Sequence, residues 1–91
     1  MNTKTYYIKG YEVNTEMTDD LVVHTKERLE VNDVLVNGCS YKVVEAKELN
    51  SLDEYMKKVE SLRDRFHNCE WQRGYISRNG AFCGADIIYF Y

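Results

Sequence analysis

Apolar positions recur along this chain mostly in short alternating runs, and only once over a long stretch at the three- and four-residue steps of a helix. Tyr6, Tyr7, Ile8, Tyr11 and Val13 form an aromatic and β-branched opening run that predicts a strand, with Gly10 marking a bulge or bend inside it. Asn14 to Asp20 is polar and predicts a loop. Leu21-Val22-Val23-His24-Thr25-Lys26 also fits a helical face through Leu21, Val22, Thr25 and Leu29, but its β-branched content favours a strand. Val34-Leu35-Val36 and Tyr41-Lys42-Val43-Val44 flank Asn37-Gly38, a pair that tolerates the positive φ angles of a two-residue hairpin turn. Such a turn would set Val34 opposite Tyr41.

The helical stretch runs from Ser51 to about His67. Ser51-Leu52-Asp53-Glu54 has the form of a capping box, and Leu52, Tyr55, Met56, Val59, Leu62 and Phe66 then make one apolar stripe. His67 falls near the end, where positive charge suits the helix dipole. Beyond it, Asn79-Gly80 predicts a second hairpin, with Ser77 opposite Phe82, Ile76 opposite Cys83, Gly74 opposite Ala85 and Arg73 opposite Asp86. Alternation places Ile76, Cys83, Ala85, Ile87 and Tyr89 on one face of that hairpin, where small Gly74 and Ala85 leave room for the helix to dock. The other face carries Trp71, Arg73, Tyr75, Phe82, Asp86, Ile88 and Phe90. It is either a second core layer against the N-terminal strands, which the small size of the chain favours, or an exposed binding surface.

These elements predict an α+β fold: five or six mainly antiparallel strands in hairpins, forming a bent sheet or small open barrel, with one amphipathic helix at about 51–67 packed on one face. At 91 residues, with no Pro, no Gly/Ser linker and no repeat, the chain is expected to be a single domain over 1–91. Cys39, Cys69 and Cys83 form an odd set without a close pair, which suits free thiols in a reducing cytoplasm. No run is apolar enough to suggest export or a membrane span. If the closing run Ile87-Ile88-Tyr89-Phe90-Tyr91 lies at a sheet edge, self-association through this C-terminal strand is expected.

The net charge of −3 argues against a dedicated duplex-DNA binder. Its distribution is uneven: residues 12–54 carry a net −7 and residues 57–78 a net +3. Glu12, Glu16, Asp19, Asp20, Glu27, Glu30 and Asp33 are candidates for an acidic surface that occupies a basic site on a partner, with Tyr6, Tyr7 and Tyr11 as anchors beside it. The sequence has no phosphate-binding glycine loop, no Gly-x-Ser-x-Gly and no His-Glu-x-x-His, so no catalytic residue and no cofactor is assigned. His67-x-Cys69 is too weak a spacing to assign a metal. The functional expectation is a small cytoplasmic module, a regulator or inhibitor that occupies a protein partner through Trp71, Arg73, Tyr75, Phe82 and Phe90. The alternative is a nucleotide or single-stranded nucleic-acid binder that stacks bases on the same aromatics and uses Arg63, Arg65 and Arg78 for phosphates. A thiol-dependent enzyme built on a Cys/His pair ranks behind both.

Overall fold

The computed structural model describes residues 3–91. In chain order it contains β1 (Lys4–Glu12), β2 (Thr18–Thr25), β3 (Val34–Asn37), β4 (Cys39–Glu48), α1 (Leu52–Arg65), β5 (Cys69–Arg78) and β6 (Ala81–Phe90). The antiparallel hairpins and the single helix are as expected, but the sheet does not stay open. Its strand order is β1-β2-β6-β5-β3-β4, and β1 pairs with β4 to close a barrel. The β1–β4 register shifts at Lys9/Gly10, but the extra residue is Val44 on β4, so the bulge expected inside the first strand lies on its partner. Gly10 also faces inward, where a Cβ would press on Leu21 and Tyr41 at 3.2–3.3 Å.

Several local expectations are corrected. The polar loop after β1 is shorter than Asn14 to Asp20, because β2 begins at Thr18 and Asp20 is buried within it. The first Asn-Gly hairpin is shifted by one residue: Leu35, not Val34, lies opposite Tyr41, and Asn37 pairs with Cys39 around Gly38. Only Gly38 takes a positive φ there, and the observed register points both Leu35 and Tyr41 into the core. The second hairpin has the expected register at every pair, with Asn79 and Gly80 both at positive φ. The C-terminal strand is not a sheet edge: over Ala85–Tyr89, β6 is paired with β2 on one side and β5 on the other. The structural premise for self-association through that stretch is therefore absent.

Two cores follow from the closure. Ile8, Leu21, Val23, Leu35, Val43 and Ile87 fill the barrel, and Leu29 plugs it from the connection between β2 and β3. The Tyr6 hydroxyl is buried among them without a hydrogen-bond partner, a cost that a small core carries elsewhere in its margin. The face of Ile76, Ala85 and Ile87 belongs to this interior, so the helix cannot dock there. Instead α1 covers the outside of β1, β2 and β6, where Leu62 meets Tyr7, Val22, Leu49 and Phe90.

Ser51 caps α1 by accepting from the Glu54 N–H, while the Glu54 carboxylate reaches past the cap to the Asn50 N–H. The helix ends at Arg65, so His67 lies beyond it. Its last turn is tied down by Arg65, which pairs with buried Asp20 at 3.1 Å, and Asp20 in turn accepts from the Tyr7 hydroxyl at 2.7 Å. Burial and that bond push the Tyr7 phenol up to about 12. Leu62 is the one fully buried residue of α1, whereas Leu52 and Met56 at the start of its stripe are exposed. Leu62→Ala should therefore cost about 2–4 kcal/mol and release the helix before the barrel. Hydrogen exchange would check this: protection lost in 52–65 but kept in β1 and β2 is expected, and uniform loss would refute a separately docked helix.

Candidate functional site

The outer face of β5 and β6 divides where the helix stops. Ile88 is half-buried and Phe90 is 5% exposed, both packed in the helix-covered core, so Phe90 is not available to a partner. Trp71, Tyr75 and Phe82 remain outside at 70%, 55% and 69% exposure. This face is thus core at one end and surface at the other, and the boundary lies between Trp71 and its cross-strand neighbour Ile88.

The exposed part is built by strand alternation. Trp71, Arg73 and Tyr75 project from one side of β5, and Phe82 joins them from β6 opposite Ser77. The Tyr75 and Phe82 rings meet edge to face at 6.4 Å and 82°. Arg73 lies across Gly84, its guanidinium 3.1 Å from where a Cβ would stand, and pairs with Asp86 at 3.6 Å. The absence of a side chain at Gly84 thus leaves room for the Arg73 guanidinium to lie across β6.

The other arginines do not join this face. Arg65 is committed to Asp20. Arg78 makes a two-point contact with the carboxylate of Asp33, at 2.9 and 2.6 Å, and also donates to the Arg28 carbonyl. Arg63 stands on the helix, exposed and outside the strand face. The acidic-surface set loses members as well, because Asp20 and Asp33 are buried in these pairs. Tyr6 and Tyr7 are buried and cannot act as surface anchors.

A feature absent from the sequence reading lies at the end of the barrel where β5 begins. A cleft of about 260 Å³ opens there, lined by Asp19 from β2, Cys39 and Tyr41 from β4, Glu70 and Gln72 from β5, and Tyr89 from β6. The rings of Tyr41 and Tyr89 stand 5.7 Å apart at 46°. Burial and the neighbouring Asp19 carboxylate hold the Tyr41 phenol well above its ordinary value. Burial likewise raises Tyr89, and burial with nearby Glu12 raises the Cys39 thiol, which makes Cys39 a poor nucleophile. No signal local in sequence joins these residues, because they meet only through strand order.

The three cysteines are unpaired. His24 and Cys83 line a common cleft, but His24 bonds to Thr5 Oγ1 at 2.9 Å and Cys83 donates to the Gly84 carbonyl, with no hydrogen bond between them. Among the described residues no group of three or more His, Cys, Asp or Glu side chains is placed to hold a metal, and no helix is long and apolar enough to cross a membrane. Fold and face together define a closed six-stranded antiparallel barrel with one outer helix and an exposed aromatic strip. Comparison with family models, curated proteins and solved structures gives no match to this chain.

Proposed function

We propose that this protein is a small binding module that acts by occupying a protein partner through Trp71, Arg73, Tyr75 and Phe82. The observation that carries this reading is the joint exposure of three large aromatic side chains on one strand face, outside both cores. Burying such rings on a partner removes much apolar area from water at low side-chain entropy cost, which is why aromatic and arginine side chains dominate binding energetics. The module works by occupancy rather than turnover, in a reducing compartment such as the cytoplasm, where its thiols stay free. Protein is favoured over single-stranded nucleic acid by charge: Arg73 is paired with Asp86, and Arg65 and Arg78 are engaged elsewhere, which leaves little net positive potential beside the rings.

The test is a Trp71→Ala/Tyr75→Ala variant. Because both side chains are exposed, its folding stability should stay within about 1 kcal/mol of the native protein. Proteins retained on the native module from a lysate should be lost on the variant. Unchanged capture would refute the face, and capture of oligonucleotide that weakens steeply with salt would transfer the face to nucleic acid.

A further inference from the structure

We propose that the partner engages this module as an extended strand along the free edge of β5, and that it places a lysine or arginine side chain in the cleft at that end of the barrel. The inference rests on the protein-binding reading above and names the chemistry of the partner.

The edge is a consequence of unequal strand lengths. β3 pairs only Val34–Val36 with Ser77–Tyr75 before turning at Gly38, whereas β5 reaches back to Cys69. Over Cys69–Arg73, β5 is therefore paired with β6 on one side and with no strand on the other. Such a half-strand offers backbone donors and acceptors to an added chain. The side chain of Asn37 donates to Gln72 and closes the corner where β3 ends, so an incoming strand would be confined to the stretch before it.

Strand alternation then dictates what that segment must carry. Glu70 and Gln72 turn toward the cleft, and Trp71 and Arg73 turn outward. Residues of an added strand follow the same alternation, one set beside Trp71 on the aromatic face and the next set over the cleft. The outer positions suit apolar side chains.

The inner position suits a cation for three reasons. Asp19 and Glu70 line the cleft, and neither makes an ion pair among the described residues. No lysine or arginine is in the lining. The Tyr41 and Tyr89 rings supply π faces beside the carboxylates, a setting that favours ammonium and guanidinium groups. A second copy of this chain fits the same edge poorly. Antiparallel pairing centred on Trp71 would oppose Glu70 to Gln72 and bring two acidic clefts together without a cation for either.

The probes are capped heptapeptides of alternating valine and lysine, the same peptide with glutamate for lysine, and the lysine peptide N-methylated through its centre. Trp71 is the only tryptophan, so its emission reports docking at the edge directly. The expected result is a saturable emission change with the lysine peptide at or below about 1 mM. Binding should be at least about tenfold weaker for the glutamate peptide, for the N-methylated peptide, and for an Asp19→Asn/Glu70→Gln variant whose thermal melt is unchanged.

No response of the native protein up to that concentration, or equal binding of the glutamate or N-methylated peptide, would overturn the proposal. A doubled mass by light scattering that the lysine peptide does not dissociate would also overturn it, by giving the edge to a second copy. These outcomes are separable from the protein-binding reading. Loss of partner capture by Trp71→Ala/Tyr75→Ala with no peptide response leaves that reading standing and removes only the strand-edge mode.

Discussion

Replacing Gly74 by alanine should destabilise the protein by about 2–4 kcal/mol, although the same change at a roomy strand position would be mildly stabilising. Gly74 is buried where β5 passes β3, and a Cβ there would stand 2.6 Å from the Val36 carbonyl oxygen, 2.9 Å from Ile87 Cδ1 and 3.1 Å from Asn37 Cβ. The nearest obstacle is backbone within the β3–β5 ladder, so it cannot swing aside. Relief requires β3 to move away from β5, and the barrel is held there by pairing of only Val34–Val36 with Ser77–Tyr75. Gly84→Ala is the matched control, because its nearest neighbour is the mobile Arg73 guanidinium at 3.1 Å. That change should lie within about 0.5 kcal/mol of the native protein. Urea unfolding of both variants checks the pair, and a neutral Gly74→Ala would mean that β3 does not close the barrel at this register.

The same position shows how far local pattern reaches. Small Gly74 does mark a close approach, but from β3 beside it in the sheet and not from the helix, because the face of Ile76, Ala85 and Ile87 is the barrel interior. Alternation fixes which residues share a face; it does not say what lies against that face, because this is decided by strand order. For the same reason alternation puts Trp71, Tyr75, Phe82 and Phe90 on one face, whereas the separation of Phe90 from the rest depends on where α1 lies.

The two Asn-Gly turns make a similar contrast. At Asn79-Gly80 both residues take positive φ and the cross-strand pair Arg73–Asp86 agrees, so local turn chemistry sets the register alone. At Asn37-Gly38 the demand that Leu35 and Tyr41 both face the core shifts the pairing by one. Buried Asp20 and Asp33 read as surface acids because their partners Arg65 and Arg78 are each 45 residues away in the chain. The acidic cleft and the free edge of β5 were not legible at all, since each is assembled by non-neighbouring strands.

Arg78→Ala should lower the melting temperature at neutral pH by on the order of 10 °C, and more than Asp33→Asn does. Asp33 is 6% exposed and its carboxylate accepts from Arg78 at 2.9 and 2.6 Å and from the Glu30 N–H at 2.8 Å. These bonds hold its carboxyl below the ordinary carboxylate range, Arg78 contributing most. The sign follows from linkage: a depressed folded-state value gives stability that is complete above the unfolded value near 3.9 and is lost as pH falls through the folded value. Removing Arg78 leaves a buried charge with one backbone donor, so the acid limb should move to higher pH. Asp33→Asn removes the charge itself and leaves Arg78, whose side chain is 39% exposed, to water.

Native protein and Asp33→Asn should therefore converge in stability only once pH falls below the depressed folded-state value of Asp33, while Arg78→Ala begins to lose stability earlier on acidification. Equal losses for the two variants with an unmoved acid limb would show that the pair is solvated and contributes little. The consequence reaches the proposed binding mode. This network fastens the connection that carries Leu29 over one end of the barrel, and Arg78 lies at the opposite end of β5 from Glu70 and Gln72. Closing one end leaves the other as the accessible mouth. Below its own melting temperature, Arg78→Ala should bind the lysine peptide as the native protein does, because the pair sets the stability of the barrel and takes no part in the cleft.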